Sequence, residues 1–342
     1  MIALQLVEHG SPGKFRVTEV PDPIAKEDEA LIKVHACGLN HLDLWLEEAG
    51  LPVPIDLPRI PGCEISGEVI SVPDNARNIR VGDRVAVQSN IFCGKCEFCL
   101  RGQESICVQG TLLGIQIDGG FAEKVAVPVR MLVPLPANVT FEQSAALTLA
   151  GSTAMHMLTT RTQVLAGEWV LVVGGASGVG SAGIQIARAL GAKVVTTASS
   201  PEKGAFATGL GAHYVVDSTD PKWASEVRKI TGKRGVDTIL EHVGGDVLLK
   251  CFECLARGGT IVTCGATAGR EVNLNLWPLF VKEQRLIGSY GRNRSDMEKT
   301  LAWAGEGKIK AVIDRIYPLA ESPRAFLQLR ERKVLGKLVV TP

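Results

Sequence analysis

"VLVVGGASGVGSAGIQIA", residues 170–187, decides the fold. A short apolar run, VLVV, leads straight into a glycine-rich turn, and the turn leads straight into a segment of helical period. Alone such a turn says little. Between a strand and a helix it reads as the start of a βαβ unit whose helix N-terminus receives a dinucleotide's pyrophosphate. Set against G-x-G-x-x-G, Gly175 and Gly180 are the outer glycines, Ser177 takes the middle position and Gly178 follows it. Gly175 permits the tight turn and Gly180 the close approach of helix and strand. Serine at 177 still lets a pyrophosphate come near, and its charge is stabilised by the helix terminus. The alternative is a plain βα turn with no ligand.

Downstream, β-rich runs continue: "WVLVVG", "KVVTTAS", "YVVD", "VDTILEHV", "GTIVTCG" and "RLIGSYG", separated by helix-period segments such as "WASEVRKIT" and "VLLKCFECLARG". Six such runs predict an α/β doubly wound parallel sheet of Rossmann type. In NAD-binding sheets the second strand ends in an acid about 20 residues past the turn, which bonds the ribose 2′-hydroxyl. Here the strand ends "TTASSPEK", with Ser199, Ser200 and Lys203 and no carboxylate at the tip. Two hydroxyls and an ammonium suit a 2′-phosphate, at roughly 1.5–3 kcal/mol for each charge-assisted hydrogen bond. The expected cofactor is NADP(H) in preference to NAD(H). The competing reading makes these residues only the cap and surface of the next helix.

Upstream, the first 135 or so residues are short β segments divided by turns such as "PDPIAKEDE" and "PDNARN", a β-rich, barrel-like pattern. At Thr140 the style changes: Thr140 with Gln143 three residues on forms a capping box, opening a helix through "TFEQSAALTLAGSTAMHMLTT". From about residue 291 the chain returns to strand, helix and strand, with "IDRIYPL", "SPRAFLQLRER" and "KLVVTP". The expected division is a discontinuous β-rich domain, 1–150 with 291–342, and a dinucleotide domain, 151–290.

The chain has 342 residues, 46% hydrophobic and 21% charged, with a formal net charge of +1 and no Lys/Arg block. That balance excludes an electrostatic footprint for nucleic acid or an anionic membrane. No apolar stretch approaches the ~20 residues of a membrane span, and the start lacks a signal peptide's basic region, so a cytoplasmic protein with a small-molecule substrate is expected. Nine cysteines are an odd number, and four fall in "CGKCEFCLRGQESIC". Cys93, Cys96, Cys99 and Cys107, spaced C-x2-C-x2-C-x7-C, can close a tetrahedral site with no open position, which predicts one structural zinc per chain in a lobe at 93–107. The redox alternative lacks a thioredoxin-like setting, and only Lys95 and Arg101 could serve a nucleic-acid finger. Cys251, Cys254 and Cys264 read as core.

The glycine turn, the four-cysteine lobe, "VGDRV" (81–85), "GGFAE" (119–123) and "GCEISG" (62–67) stand in an order that resembles the medium-chain dehydrogenase/reductase family across essentially the whole chain. The resemblance implies a GroES-like catalytic domain beside the Rossmann domain. Members that oxidise alcohols hold a catalytic zinc through three side chains, whose positions correspond to Asn40, Cys63 and Leu149 here. Leucine offers no lone pair and a neutral asparagine is a poor zinc ligand, so Cys63 and Glu64 are the only credible donors. The family's proton-relay positions are Leu42 and Trp45. The departures resemble the zinc-independent branch of quinone and enoyl reductases. By that resemblance Asn40 lies near the nicotinamide and hydrogen-bonds substrate, with Cys63 and Glu64 lining the pocket. It also implies His41 near the pyrophosphate, Thr153 and Val179 against the nicotinamide ring, and the backbone at Cys264, Gly288 and Tyr290 on its carboxamide.

The expected activity is hydride transfer from NADPH to a quinone or an α,β-unsaturated carbonyl without a catalytic zinc. Conjugation spreads the developing charge of such an acceptor. Two rivals stand: an alcohol dehydrogenase or ketone reductase with residual zinc chemistry, and a catalytically silent nucleotide-binding protein. "RLIGSYG" is expected at the interface of a homodimer or homotetramer.

Overall fold

The alternating N-terminal segments become short antiparallel strands. The computed structural model describes residues 1–342. They gather into two units, Met1–Ser152 with Arg292–Glu306 and Ala311–Pro342, and Thr153–Gly291 with Gly307–Lys310. Along the first unit run β1 (Ile2–Glu8), β2 (Lys14–Glu19), β3 (Glu29–Leu39), helix α1 (His41–Glu47), β4 (Glu64–Ser71), β5 (Arg84–Val87) and β6 (Asn90–Ile91). Helix α2 (Glu97–Leu100), β7 (Thr111–Leu112), β8 (Lys124–Pro128), β9 (Leu132–Pro134), α3 (Phe141–Ala145) and α4 (Ala150–Met155) follow, the last passing into the second unit at Thr153.

One helix was expected from Thr140 to Thr160; the structure breaks it. The capping box forms as read, with Thr140 and Gln143 bonded reciprocally at 3.0 and 3.2 Å, but α3 ends at Ala145. The N–H groups of Leu149 and Ala150, which a continuous helix would spend on its own carbonyls, donate instead to the Glu64 carboxylate. Beyond α4 the chain continues as a π-helical turn, His156–Arg161.

The second unit holds β10 (Trp169–Val172), α5 (Gly178–Ala189), β11 (Lys193–Ala198), α6 (Pro201–Gly209), β12 (Tyr214–Asp217) and α7 (Trp223–Ile230). It closes with β13 (Val236–Glu241), α8 (Gly245–Cys254), β14 (Leu255–Thr263), α9 (Leu276–Val281) and β15 (Arg285–Gly288). The six strands pair in parallel in the order β12-β11-β10-β13-β14-β15. This is the doubly wound order, with its reversal between β10 and β13. Leu171, Val195, Val227, Ile239, Phe252 and Ile261 are among its core. Cys251 and Cys254 are buried there as expected, whereas Cys264, just past β14, is only half-buried.

The chain then re-enters the first unit through α10 (Arg294–Gly305), β16 (Ile313–Pro318), α11 (Ser322–Arg330) and β17 (Lys337–Thr341). Helix α10 was not read from the sequence. Two of its four buried residues, Asp296 and Thr300, are polar, so the apolar period that betrays a helix is missing. The main sheet runs β16-β17-β3-β4-β5-β9, with β8 also on β3. Leu338 pairs with Leu39 and Glu64 with Gly38, so β17 and β4 flank the C-terminal end of β3. Lys337, Asn40 and Glu64 are thereby brought to one place.

Candidate functional site

At that place three buried side chains close a network. The Lys337 ammonium donates to Glu64 Oε2 at 2.7 Å, to Asn40 Oδ1 at 2.6 Å and to the carbonyl of Leu39 at 2.6 Å. Asn40 Nδ2 donates to Glu64 Oε2 at 2.9 Å and to the carbonyl of Gly38 at 3.2 Å. Glu64 Oε1 accepts from the N–H groups of Leu149 and Ala150 at 2.5 and 3.0 Å. Glu64 is fully buried and Lys337 is 4% exposed. Only a glycine fits at 38, since a Cβ there would stand 2.1 Å from the carbonyl oxygen of Ala145 and 2.6 Å from Glu64 Oε2.

The donor inventory is then complete. A carboxylate offers about four acceptor positions, and Glu64 uses four. Both amide hydrogens of Asn40 are spent, and its oxygen faces an ammonium, so in this arrangement Asn40 has no donor for a substrate. This differs from the expectation that it hydrogen-bonds one. Burial pushes the thiols of Cys63 and its neighbour Cys37 well above the usual range, so neither is poised as a thiolate. Leu149 meets the network only through its backbone. The residues therefore do not fit a catalytic zinc: Glu64 is saturated, a protein cation already stands against it, and the ligand set that converges in this chain is the four lobe cysteines.

Asp43, in the first turn of α1, binds two loops together. Its Oδ2 accepts from the N–H of Asn40 at 2.8 Å and its Oδ1 from the N–H of Gly62 at 3.2 Å. Burial raises its carboxyl from 3.8 to about 7, against the pull of those N–H groups and of Lys337. Folding thus takes up a proton between about pH 4 and pH 7. The group's contribution to stability falls as pH rises through that window, by about 4 kcal/mol in all, and is level above it. Asp43→Asn is expected to cost most stability near pH 4 and least above pH 7, flattening that slope by one proton's worth; equal slopes in wild type and variant, read from denaturant midpoints between pH 4 and 8, would show that Asp43 does not titrate this way.

The four expected zinc ligands converge. Their sulfurs all lie within 4.8 Å of one another. The pairs Cys93–Cys99, Cys96–Cys99 and Cys96–Cys107 stand 3.9, 3.5 and 3.9 Å apart, against about 3.8 Å for sulfurs around tetrahedral zinc. Backbone N–H groups are aimed at all four, among them Cys96 N on Cys93 Sγ and Cys93 N on Cys107 Sγ, both at 3.3 Å. Those of Cys99 and Val108 draw Cys96 down to about 6, and that of Lys95 lowers Cys93. Cys99, in contrast, is raised to about 12 by burial. The donor set fits a closed structural zinc site. Asn293 Oδ1 ties the lobe to α10 by accepting from Ser105 N at 3.0 Å.

In the second unit the glycine turn is bolted to β11. Gly174 N donates to Thr197 Oγ1 at 2.8 Å and Gly175 N to the Thr197 carbonyl at 3.1 Å. A Cβ at Gly180 would stand 2.1 Å from the Gly174 carbonyl oxygen, so helix and turn touch as the motif requires. Ser177 caps α5, its Oγ accepting from Gly180 N at 2.9 Å. The N–H groups of Gly178 and Val179 have no acceptor in the protein, a fitting cradle for a pyrophosphate. At the tip of β11, Ser200 caps α6 by accepting from Lys203 N, and Lys203 Nζ donates to Ser199 Oγ, both at 3.3 Å. Register puts Asp217 beside Ala198, but its Oδ1 is turned to Thr219 N and Oγ1.

The other expected cofactor residues divide between the units. His41 begins α1, edge-on to Trp45. Thr153 is buried in α4. The N–H of Cys264 is committed to the Glu241 carbonyl at 3.1 Å, and the Gly288 carbonyl accepts from Arg161 Nε at 3.0 Å. Tyr290 is exposed. Lys337, Asp43, Glu241 and His242 were not singled out from the sequence. Glu241, fully buried at the end of β13, accepts from Val243 N and Gly244 N at 2.5 and 2.6 Å and from Thr263 Oγ1 at 2.5 Å. The usable signal was a polar pair, "EH", ending an otherwise apolar strand.

A β-rich unit with a four-thiol lobe, followed by a doubly wound sheet with a capped glycine turn, defines an oxidoreductase of the two-domain dehydrogenase class. Residues 26–137 match the profile of the alcohol dehydrogenase GroES-like domain, and residues 178–306 that of the zinc-binding dehydrogenases. An alcohol dehydrogenase of Geobacillus stearothermophilus is 31% identical over 95% of this chain and 96% of its own. An acryloyl-coenzyme A reductase of Sulfurisphaera tokodaii is 31% identical over 98% and 99%. The crystal structure of an NAD-dependent alcohol dehydrogenase superposes over the full length of both chains with a TM-score of 0.96 at 34% identity. The chain belongs to the medium-chain dehydrogenase/reductase family. No helix is long and apolar enough to cross a membrane.

Proposed function

We propose that this protein is an NADPH-dependent reductase of an activated acceptor, an α,β-unsaturated carbonyl or a quinone, that works without a catalytic zinc. One observation carries the reading: Glu64 is saturated by Lys337, Asn40 and two backbone N–H groups. The bound dinucleotide supplies the hydride. The chain's own share is geometry, for which Gly178 and Val179 receive the pyrophosphate and the Lys337 network holds the end of β3 rigid. In this reading Asn40 shapes the pocket through its orientation, and Cys63, fully buried, packs behind it as a neutral thiol. The lobe binds one structural zinc through Cys93, Cys96, Cys99 and Cys107.

The name of the acryloyl-coenzyme A reductase favours a conjugated carbonyl. The names of the alcohol dehydrogenases favour the rival, alcohol or ketone chemistry. NADP(H) is preferred because Ser199, Ser200 and Lys203 stand together where a carboxylate would exclude a 2′-phosphate. By the family resemblance Thr153 and Val179 face the nicotinamide, His41 the pyrophosphate, and Cys264, Gly288 and Tyr290 the carboxamide. A homodimer forming along the free edge of β15 is supported by exposed Leu286 and Tyr290 there and by Leu276, Trp277 and Phe280 on α9.

The test is a panel of enones, enoyl thioesters, quinones, aldehydes and alcohols with each cofactor. kcat/KM for NADPH is expected to exceed that for NADH by about 10-fold or more, from one charge-assisted contact. A preference for NADH would end the cofactor claim. Chelator-sensitive alcohol oxidation as the best activity would end the acceptor claim, and binding without any turnover would leave the silent nucleotide-binding protein.

A further inference from the structure

His242 stands just past β13, beside β10 at the point where the strand order reverses. Its Nε2 lies 2.8 Å from the Val173 carbonyl oxygen and 3.2 Å from Ser177 Oγ. A carbonyl only accepts, so the ring proton sits on Nε2. Burial lowers the imidazole's affinity for a second proton, which favours this neutral tautomer. Ser177 Oγ also accepts from Gly180 N. The single Nε2–H, given chiefly to the nearer Val173 carbonyl, is shared with the hydroxyl oxygen, so two N–H groups face that oxygen and neither can receive its proton. That proton is left to donate outside the turn. The same ring packs beside Gly174, where a Cβ would stand 3.3 Å from its Cε1. One imidazole thus braces the residue before the turn, the first glycine of the turn and the serine that caps α5.

We propose that His242 is a positioning residue of the dinucleotide site: it holds Ser177 so that the hydroxyl donates to an anionic oxygen of the cofactor's pyrophosphate, beside the free N–H groups of Gly178 and Val179. Ser177 then turns the loss of the motif's middle glycine into an additional donor. The inference rests on this unit binding a nucleotide but not on the choice of NADPH, because both dinucleotides carry the same pyrophosphate.

The experiment measures Kd for NADPH, NADH and ADP-ribose by titration calorimetry with the full chain. The proteins are wild type, His242→Leu, His242→Gln, Ser177→Gly and the Leu/Gly double variant. Glycine at 177 is chosen because it is among the mildest replacements at a helix cap. His242→Leu and Ser177→Gly are each expected to weaken all three ligands about 10-fold, and the double variant by no more than either single. His242→Gln, which keeps a donor near the Nε2 position, is expected to stay within about threefold of wild type. A purely structural histidine would not be coupled to Ser177 in Kd, so multiplied losses overturn the proposal. So does an unchanged Kd in Ser177→Gly, a result that stands even if His242→Leu fails to fold. Tighter NADH binding with the coupling intact removes only the cofactor preference. Absence of binding to all three ligands removes the nucleotide reading and this proposal with it.

Discussion

Lys337→Met is expected to cost about 3–5 kcal/mol of folding stability, the range for removing one partner of a buried ion pair. The size follows from what stays behind. Glu64 is fully buried and keeps its two backbone donors and the Asn40 amide, but it loses its only cation, while Asn40 Oδ1 and the Leu39 carbonyl lose an ammonium donor. Adding Glu64→Gln removes the orphaned charge. With the ammonium gone the Asn40 amide is free to turn its oxygen toward the glutamine, restoring a neutral hydrogen bond. The double variant is therefore expected to recover at least half of the loss, whereas Lys337→Arg keeps the charge at an overpacking cost of about 1–3 kcal/mol. Denaturant midpoints decide it. A double variant as unstable as the sum of the singles would mean that Lys337 serves only as packing.

The network explains why one part of the site was legible in the sequence and another was not. The glycine turn and the cysteine lobe are local: their residues lie within a few positions of one another, so spacing alone fixes their geometry. The strands of both units announce themselves by alternation or by short apolar runs. Lys337, by contrast, is 297 residues from Asn40, and Asn40 is 24 from Glu64. In the sequence Lys337 is an ordinary polar residue at the head of "KLVVTP". Only the register of β17 and β4 against β3 turns it into the counter-ion of Glu64. The break between α3 and α4 was hidden for the same reason: "ALTLAG" has good helical propensity, and what stops the helix is a carboxylate from a strand 85 residues earlier. The altered ligand positions were visible as residue types, so the doubt about a catalytic metal could be raised from the sequence. What fills the place was visible only in three dimensions.

That contrast makes metal content the second discriminating measurement. A native mass spectrum of protein prepared without chelator is expected to show one zinc per chain, and the same spectrum reports whether two chains travel together. Cys96→Ser should lower zinc from one toward none, because three thiolates and a neutral hydroxyl no longer close the tetrahedron. The consequence for the lobe is large: structural zinc contributes on the order of 10 kcal/mol to the folding of small zinc modules, and this lobe has little else. Between Cys93 and Cys107 the regular elements are one four-residue helix and a single 3-10 turn, and the buried residue is Ser105. Trypsin cleavage after Lys95 and Arg101 should then run more than tenfold faster in the variant or after chelation. Cys63→Ser is the matched control. Its sulfur lies outside the four-thiol cluster and is fully buried, so zinc should remain at one per chain and the lobe should resist trypsin as in wild type. Two zinc ions in the wild type, falling to one in Cys63→Ser, would place a metal beside Glu64 and would require Lys337 to leave it.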